Sequence, residues 1–166
     1  MEGFLLDDLL HFLEKQGDIA LGDHHPEVLS TVEGLALPGS IDGLLRHGYW
    51  PSEGFDAGTA GPHTLFGLRE SVEDLGDLAA FARAQMFPIG AAPNGDPLVL
   101  MASGDKVEVG LVSHDLFWED EVSDPSEAYV MVASSLEEYL WRIVEKRYLP
   151  LDYYAAKELA QLRTYL

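Results

Sequence analysis

The sequence predicts an α+β fold in which a mostly antiparallel or mixed sheet is flanked by helices. Three observations support this prediction. Apolar residues at helical spacing fill the start of the chain, short apolar strands gather in its middle, and capped helical patterns return at its end. Helices that precede and follow a block of strands favour an α+β arrangement over alternating βαβ units.

The start of the chain predicts three short amphipathic helices. The first is indicated by leucines three and four residues apart, namely Leu6, Leu9, Leu10 and Leu13, with Gly17 closing it. The second is predicted to begin near Pro26, because proline suits a first helical turn, and to end before Leu37-Pro38. A third is predicted to start with Ser40 as its cap and to end at Gly48.

The middle of the chain predicts the sheet. Residues 87–100 (FPIGAAPNGDPLVL) contain two apolar strands around a turn in which Gly95 supplies a positive φ that Asn94 also tolerates. Asp96 stands at the mouth of this turn, where it either accepts a backbone N–H or faces a ligand. Further strands are predicted at residues 107–111 and 129–132.

Later segments predict a loop and three more helices. Residues 51–63 are rich in glycine and proline and indicate a surface loop. Ser71 with Asp74 predicts the start of one helix, and Ser135 with Glu138 predicts a capping box on the next. Asp152 is predicted to cap a last helix. The apolar stripes predicted for the first and last of these are Val72, Leu75, Leu78, Ala79 and Ala82, and then Leu159, Leu162 and Leu166.

Charge restricts the possible partners. The 29 acids and 10 bases give a formal net charge of −19, so the chain as a whole repels nucleic-acid phosphates and favours a basic protein partner. Half of the bases lie in the last 25 residues: Arg142, Lys146, Arg147, Lys157 and Arg163. The sequence therefore predicts an acidic surface and a separate, less acidic C-terminal region.

Composition narrows the class of protein further. Cysteine is absent, which excludes disulfides, thiolate metal sites and thiol nucleophiles. No apolar run approaches the roughly 18–20 residues that span a bilayer, and the first residues lack the basic region of a signal peptide. We therefore expect a cytoplasmic protein that binds neither membrane nor nucleic acid.

Two segments carry a resemblance to a known family. Residues 32–48 (VEGLALPGSIDGLLRHG) resemble the entry helices of the SUKH superfamily, and residues 87–100 resemble its central strand–turn–strand segment. This superfamily includes the yeast cell-wall-assembly regulator and many bacterial immunity proteins. The resemblance implies one SUKH-like domain over residues 1–166, with a core at about residues 26–144 and a C-terminal helical extension at residues 150–166.

The resemblance also implies a function. It implies a non-catalytic fold that presents a cleft to a protein partner, and bacterial members commonly bind and block secreted toxins, many of them nucleases. A basic toxin domain would match the negative charge of this chain. The alternative is a regulatory or scaffold module that binds an endogenous protein. In one respect this chain departs from the family pattern, because residues 51–63 and the predicted helix at residues 71–86 replace a region that often carries strands.

One segment is predicted to face the partner. An aromatic residue stands beside clustered carboxylates in Trp118, Glu119, Asp120, Glu121, Asp124 and Glu127, and with Asp96 these residues form the candidate interface. An acidic interface needs both features, because the aromatic side chain supplies buried area and the carboxylates steer the encounter. The alternative for residues 118–127 is a solvated loop with Trp118 in the core.

Several segments look like catalytic, metal-binding or phosphate-binding motifs but lack the arrangement that each of these functions needs. Ser113-His114-Asp115 is predicted to lie along a strand, where neighbouring side chains face opposite ways and form no triad. His24 and His25 are predicted to lie in an exposed loop that caps the next helix, and the glycines of residues 90–95 lack the lysine and helix of a phosphate-binding loop. We therefore expect no catalytic, cofactor or metal site. The adjacent tyrosines of residues 148–154 pack in the core or form a dimer face, which leaves monomer and homodimer both open.

Overall fold

The structure is a computed structural model that describes residues 6–15, 24–46, 50–51, 62–74, 77–118 and 124–164. It confirms the predicted α+β class, with helices flanking a five-stranded antiparallel sheet. Each strand pairs with the next one along the chain, in the order β1-β2-β3-β4-β5. The strands are β1 (Thr64–Leu65), β2 (Met86–Ala91), β3 (Pro97–Ser103), β4 (Lys106–Val112) and β5 (Tyr129–Ala133).

The helices fall into four groups along the chain. In the part of the chain that the structure describes, three precede the sheet, two lie between β1 and β2, two short ones lie between β4 and β5, and two follow β5. They are α1 (Leu6–Lys15), α2 (Pro26–Gly34), α3 (Gly39–Arg46), α4 (Leu68–Asp74), α5 (Leu78–Arg83), α6 (His114–Trp118), the 3-10 helix η1 (Pro125–Ala128), α7 (Leu136–Val144) and α8 (Tyr153–Thr164). Within the described ranges, none of these helices is long and apolar enough to cross a membrane.

The two faces of the sheet contribute to two apolar clusters. Leu98 and Leu100 belong to the larger cluster with residues of α1, α2, α3, α7 and α8, whereas Val99 between them belongs to a smaller cluster with Phe81 and Phe117. This alternation follows from the two-residue period of a strand. Residues 98–100 are fully buried, so this part of β3 is covered on both faces.

The predicted turn joins β2 to β3. Gly95 has a φ of +97°, and its N–H donates to the carbonyl of Ala92 over 2.9 Å. The Ala92 N–H in turn donates to the carbonyl of Asp96 over 2.8 Å. The left-handed conformation that favours glycine therefore lies at the residue where the sequence predicted it.

Two glycines allow neighbouring chain segments to approach closely. A Cβ at Gly90 would lie 2.2 Å from the carbonyl oxygen of Thr64 on β1. A Cβ at Gly110 would lie 2.2 Å from the ring of Tyr129 and 2.5 Å from the carbonyl oxygen of Val130. The missing side chains therefore let β1 and β5 reach the positions that they occupy in the sheet.

The prediction of one helix that starts at Ser71 is wrong in two respects. The helix starts earlier, and the segment forms two helices instead of one. The helix α4 begins at Leu68, and the Gly67 N–H donates to the Glu70 carboxylate over 3.3 Å. Ser71 lies inside α4 and is fully buried, so it is not the cap. Asp77 has a φ of +62°, which separates α4 from α5 because a left-handed residue cannot continue a right-handed helix.

Caps at the later helices are confirmed in part. The Ser135 hydroxyl accepts the Glu138 N–H over 3.0 Å, but the Glu138 carboxylate reaches back to the Ser134 N–H over 2.8 Å instead of to Ser135. Asp152 caps α8 as predicted, by accepting the Ala155 N–H over 2.9 Å. Ser40 is not a cap, because α3 already begins at Gly39.

The stripe predicted for the last helix is wrong at Leu162, whereas Leu159 is half-buried and Leu166 lies outside the described residues. Tyr153 and Ala156 are the residues of α8 that are buried, whereas the Leu162 side chain is 57% exposed. The helix packs against β4 and β5 through its first turns. The prediction placed the large leucines on the buried face. In the structure the buried face instead carries an aromatic side chain, Tyr153, and a small one, Ala156.

Candidate functional site

The best-defined polar site surrounds Asp96, at the end of the β2–β3 turn. The carboxylate is fully buried. Its Oδ1 accepts the His114 N–H over 3.0 Å and lies 2.6 Å from Nδ1 of the His114 ring. Its Oδ2 accepts the side-chain N–H of Asn94 over 3.0 Å and the backbone N–H of Tyr153 over 2.9 Å. One carboxylate therefore joins the turn, the start of α6 and the start of α8.

The electrostatics of this site keep Asp96 ionised. Burial by itself would raise the pKa of the carboxyl, but the donors from His114, Tyr153 and Asn94 outweigh burial and hold the pKa below its ordinary value. A buried carboxylate with this many donors is a structural centre, because removing the charge would leave donors without an acceptor.

Asp96 therefore does not lie where a partner could touch it. Of the two predicted roles, accepting a backbone N–H is the one seen, although the N–H groups come from His114 and Tyr153 and not from within the turn. Its placement on an exposed interface is wrong, because the packing of α6 and α8 covers the carboxylate. The Asn94 side chain instead closes the turn, through its oxygen and the Asp96 N–H at 3.1 Å.

His114 lies between two carboxylates. Beyond its contact with Asp96, its Nε2 lies 3.0 Å from Asp115, whose other oxygen accepts the Tyr154 hydroxyl over 3.2 Å. The Ser113 hydroxyl is buried and accepts the Leu116 N–H over 3.3 Å. These residues form a helix start and not a strand, so the predicted placement is wrong. Both ring nitrogens of His114 are engaged by carboxylates, and neither serves the serine.

A second buried polar site lies between His63 and α7. The ring of His63 is 1% exposed, with Nδ1 2.8 Å from the Tyr139 hydroxyl and Nε2 2.8 Å from the carbonyl oxygen of Pro150. A carbonyl oxygen only accepts, so Nε2 carries the proton and Nδ1 accepts the Tyr139 O–H. Burial lowers the pKa of His63, with the Pro150 carbonyl opposing this effect, and the neutral imidazole fits the site.

The structure describes part of the predicted acidic interface. Asp124 is exposed at the start of η1, where its carboxylate accepts the Ser126 N–H over 2.9 Å, and Glu127 in η1 is also exposed. Hydrogen bonds from Ser126 lower the pKa of Asp124, so this surface carboxylate stays charged. Trp118 is the last residue of α6. Residues 119–121, which contain Glu119, Asp120 and Glu121, and the side chain of Trp118 lie outside the described part of the chain.

Two half-open pockets border acidic residues. The larger has a volume of about 470 Å³, lies between the β3–β4 turn and the starts of α3 and α7, and includes Asp105, Lys106 and Glu137 in its lining. The other has a volume of about 270 Å³ and is lined by Asp124 and Pro125 together with Arg83 and its neighbours on α5. The sequence predicted neither pocket, because each combines residues from distant segments.

Metal-binding side chains do not converge in the described ranges. No group of three histidine or acidic residues there could hold a metal ion. His25 is exposed and occupies the N-cap position of α2, which agrees with the predicted capping loop, but its side chain makes no capping hydrogen bond and His24 beside it is half-buried.

Sequence analysis missed both buried polar sites. Asp96 meets Tyr153 across 57 positions, and His63 meets Pro150 across 87, so no local pattern links the partners. The one available signal was Ser113-His114-Asp115. Because this segment was assigned to a strand, the prediction missed that His114 and Asp115 lie together in the first turn of a helix.

Comparison with known proteins identifies no relative of this chain. No family model, no curated protein and no solved structure matches this chain. The SUKH resemblance therefore stays a prediction that depends on residues 32–48 and 87–100.

Proposed function

We propose that this chain is a cytoplasmic immunity protein of the SUKH type, a non-catalytic binder that neutralises a basic toxin domain. The observation that carries the proposal is the net charge of −19, which favours a basic partner. The α+β fold with a helix-flanked antiparallel sheet is also the fold that the resemblance implies. A nuclease domain is basic where it holds nucleic acid, so an acidic binder can occlude that surface.

The polar groups of the interior support a binding role over a catalytic one. Among the described residues, Asp96, His63 and His114 are each engaged in contacts that join distant segments. The acids that remain exposed, such as Asp105, Asp124 and Glu127, lie on the surface, where they can steer a basic partner.

Survival on co-expression tests the immunity role. The chain is produced together with the toxin domain encoded by the neighbouring gene, and the proposal expects both rescue of growth and a stable complex on a sizing column. Failure of rescue without a complex would overturn the proposal. Capture of an endogenous regulator instead would favour the alternative, a module of the cell-wall-regulator type.

Charge reversal tests the predicted interface. Changing Glu119, Asp120 and Glu121 to lysine should slow association with the toxin and reduce its dependence on salt. The matched control changes Asp8, Asp105 and Glu145, three exposed acids spread over the molecule, by the same total charge. If both variants slow association equally, the whole-molecule field steers the partner and residues 118–127 are not the contact surface.

A further inference from the structure

Exposed apolar side chains are concentrated around α8. Six large hydrophobic side chains are exposed in the part of the chain that the structure describes, and Phe12 on α1 stands apart from the rest. The other five lie on α8, in the segment leading to it, or on the neighbouring strand β5, and we call them the α8 surface: Met131 (46% exposed), Tyr148 (67%), Leu151 (49%), Tyr154 (49%) and Leu162 (57%). Clustering of this kind marks an interaction surface, whereas single exposed apolar residues do not.

An apolar cleft borders the α8 surface. Its volume is about 220 Å³, and it lies between β5 and α8. Met131 itself lines it, and the other lining residues are Val130, Val132, Pro150, Ala156, Leu159 and Ala160. Within the described ranges β5 is the last strand of the sheet, and no described strand pairs with its outer edge. Met131 therefore belongs both to the exposed side chains and to the lining of this cleft, whose other residues flank Leu151 and Leu162 in sequence.

Charge distinguishes this region from the remainder of the molecule. Residues 141–164 carry five bases and three acids, a net charge of +2, which leaves −21 for the other residues. Two of the cations lie over aromatic rings, Arg147 at 5.3 Å from the Trp141 ring centre and Lys157 at 5.7 Å from that of Tyr153. Cations held over rings contribute to packing, and because exposed acids and bases nearly balance, the region presents apolar surface with a small net charge.

We propose that the α8 surface is covered by a second copy of this chain in a symmetric dimer. Two copies that each carry −19 repel one another wherever their acidic surfaces meet, and the α8 surface is where this repulsion is smallest. A symmetric contact places this region against itself. Tyrosine, methionine and arginine are also the residue types enriched in interfaces.

The exposed area is of the right order for a dimer. A fully exposed aromatic side chain presents roughly 150–250 Å². The two tyrosines, exposed by about half or more, supply on the order of 200 Å², and the smaller methionine and two leucines add roughly as much again, against roughly 800 Å² per partner in a stable interface. The cleft and the outer edge of β5 can supply the remainder.

The test is the mass of the purified full chain in solution, measured by light scattering and by sedimentation across a concentration series. We expect a particle of twice the chain mass of 18.3 kDa. The double variant Met131→Glu, Leu162→Glu should weaken the dimer roughly tenfold or more, because it places four carboxylates in the contact. Phe12→Glu, an exposed apolar residue outside the α8 surface, should leave the dimer unchanged.

Two further measurements keep the dimer test informative even if the double variant fails to fold: the effect of salt on the wild type, and a single variant. Raising salt should tighten the dimer, because screening removes repulsion and leaves the apolar contact. Leu162→Glu alone keeps a good helix former at an exposed position and should weaken the dimer by itself. A monomer at every concentration, a dimer insensitive to both variants, or a mass that keeps growing with concentration would each overturn the proposal.

Discussion

At the scale of single residues, the structure depends on two buried polar groups that join distant segments. Asp96 attaches the start of α8 and the start of α6 to the β2–β3 turn, and His63 attaches the segment before β1 to α7 and to Pro150. Both groups are buried, and in the interior a lost hydrogen-bond partner is costly. Single substitutions should therefore have large and separable effects at these positions.

Asp96→Asn should destabilise the fold by roughly 2–4 kcal/mol. The amide keeps the shape but turns two N–H donors toward the donors of Tyr153 and Asn94. Urea unfolding measures the loss. Asp105→Asn, at an exposed turn residue, is the matched control and should change stability by less than about 0.5 kcal/mol. A loss at Asp96 no larger than at Asp105 would contradict the structural role of the carboxylate.

His63 should make stability depend on pH below its ordinary pKa of about 6.5. Its folded-state pKa is lowered, so the unfolded chain takes up the proton first, and acidification below that value favours unfolding. Asp96 and Glu138 also have lowered pKa values, but their contribution is lost at lower pH, through the carboxylate range. The urea midpoint of the wild type should fall as the pH is lowered from about 8 to about 5. The fall should be smaller in His63→Gln.

The exposed His11 provides the control for this pH effect. Its pKa is raised by the Asp7 carbonyl and carboxylate, so its charged form stabilises the fold at low pH, the opposite sign. His11→Gln should therefore leave the fall in place or steepen it. An NMR titration in which the His63 ring gains its proton above pH 6.5 would be incompatible with the neutral site.

At the scale of elements, close approach between strands decides where side chains fit. Gly110 on β4 lies under the Tyr129 ring, whose hydroxyl donates to Glu108 over 2.8 Å. Burial, with the Glu108 carboxylate adding to it, raises the pKa of Tyr129, so this hydroxyl keeps its proton. The smaller apolar cluster and the pairing of β4 with β5 depend on this contact.

Gly110→Ala should destabilise the fold by roughly 1–3 kcal/mol, because the added Cβ would overlap the Tyr129 ring and the Val130 carbonyl. Gly34→Ala at the end of α2 is the matched control. Nothing lies within 4 Å of its added Cβ, and alanine favours the helix, so stability should stay the same or rise by up to about 1 kcal/mol. Thermal melts compare the two variants. If the two variants changed the melting temperature equally, the close contact between β4 and β5 at Gly110 would not be needed for stability.

The sequence predicted elements well where the signal is local. Helix α1 buries Leu9, Leu10 and Leu13 and leaves Leu6 half-buried, α2 begins at Pro26, and the turn at residues 94–95 joins the expected strands. Predictions were wrong where a distant partner decides. Ser71 is buried inside α4 because the helix starts earlier, and the outward face of α8 includes Leu162 because Tyr153 and Ala156 pack inward.

At the scale of the whole molecule, negative charge opposes folding while it favours a basic partner. A net charge of −19 on 166 residues produces self-repulsion in the compact state. The charge belongs to the composition, so the sequence alone determines it. Its separation into an acidic remainder and the less acidic α8 region also follows from the order of residues.

Salt should therefore stabilise the fold. Raising ionic strength shortens the screening length from about 10 Å at 0.1 M to about 3 Å at 1 M, so the melting temperature should rise. The measurement uses the Leu162→Glu variant at low concentration, which separates this effect from dimer formation. Replacing the exposed acids Asp8, Asp105 and Glu145 with their amides should reduce the dependence on salt. A melting temperature that falls with added sodium chloride would contradict self-repulsion as the dominant charge effect.

The sequence by itself determined the α+β class, the main turn, the starts of α2, α7 and α8 and the charge of the molecule, because these depend on neighbouring residues or on composition. Tertiary structure alone decided that Asp96 is an interior centre, that His63 is buried and neutral, and that exposed apolar residues gather around α8. The physical reason is that burial depends on partners tens of residues away, and local patterns carry no information about which distant segment will cover a side chain.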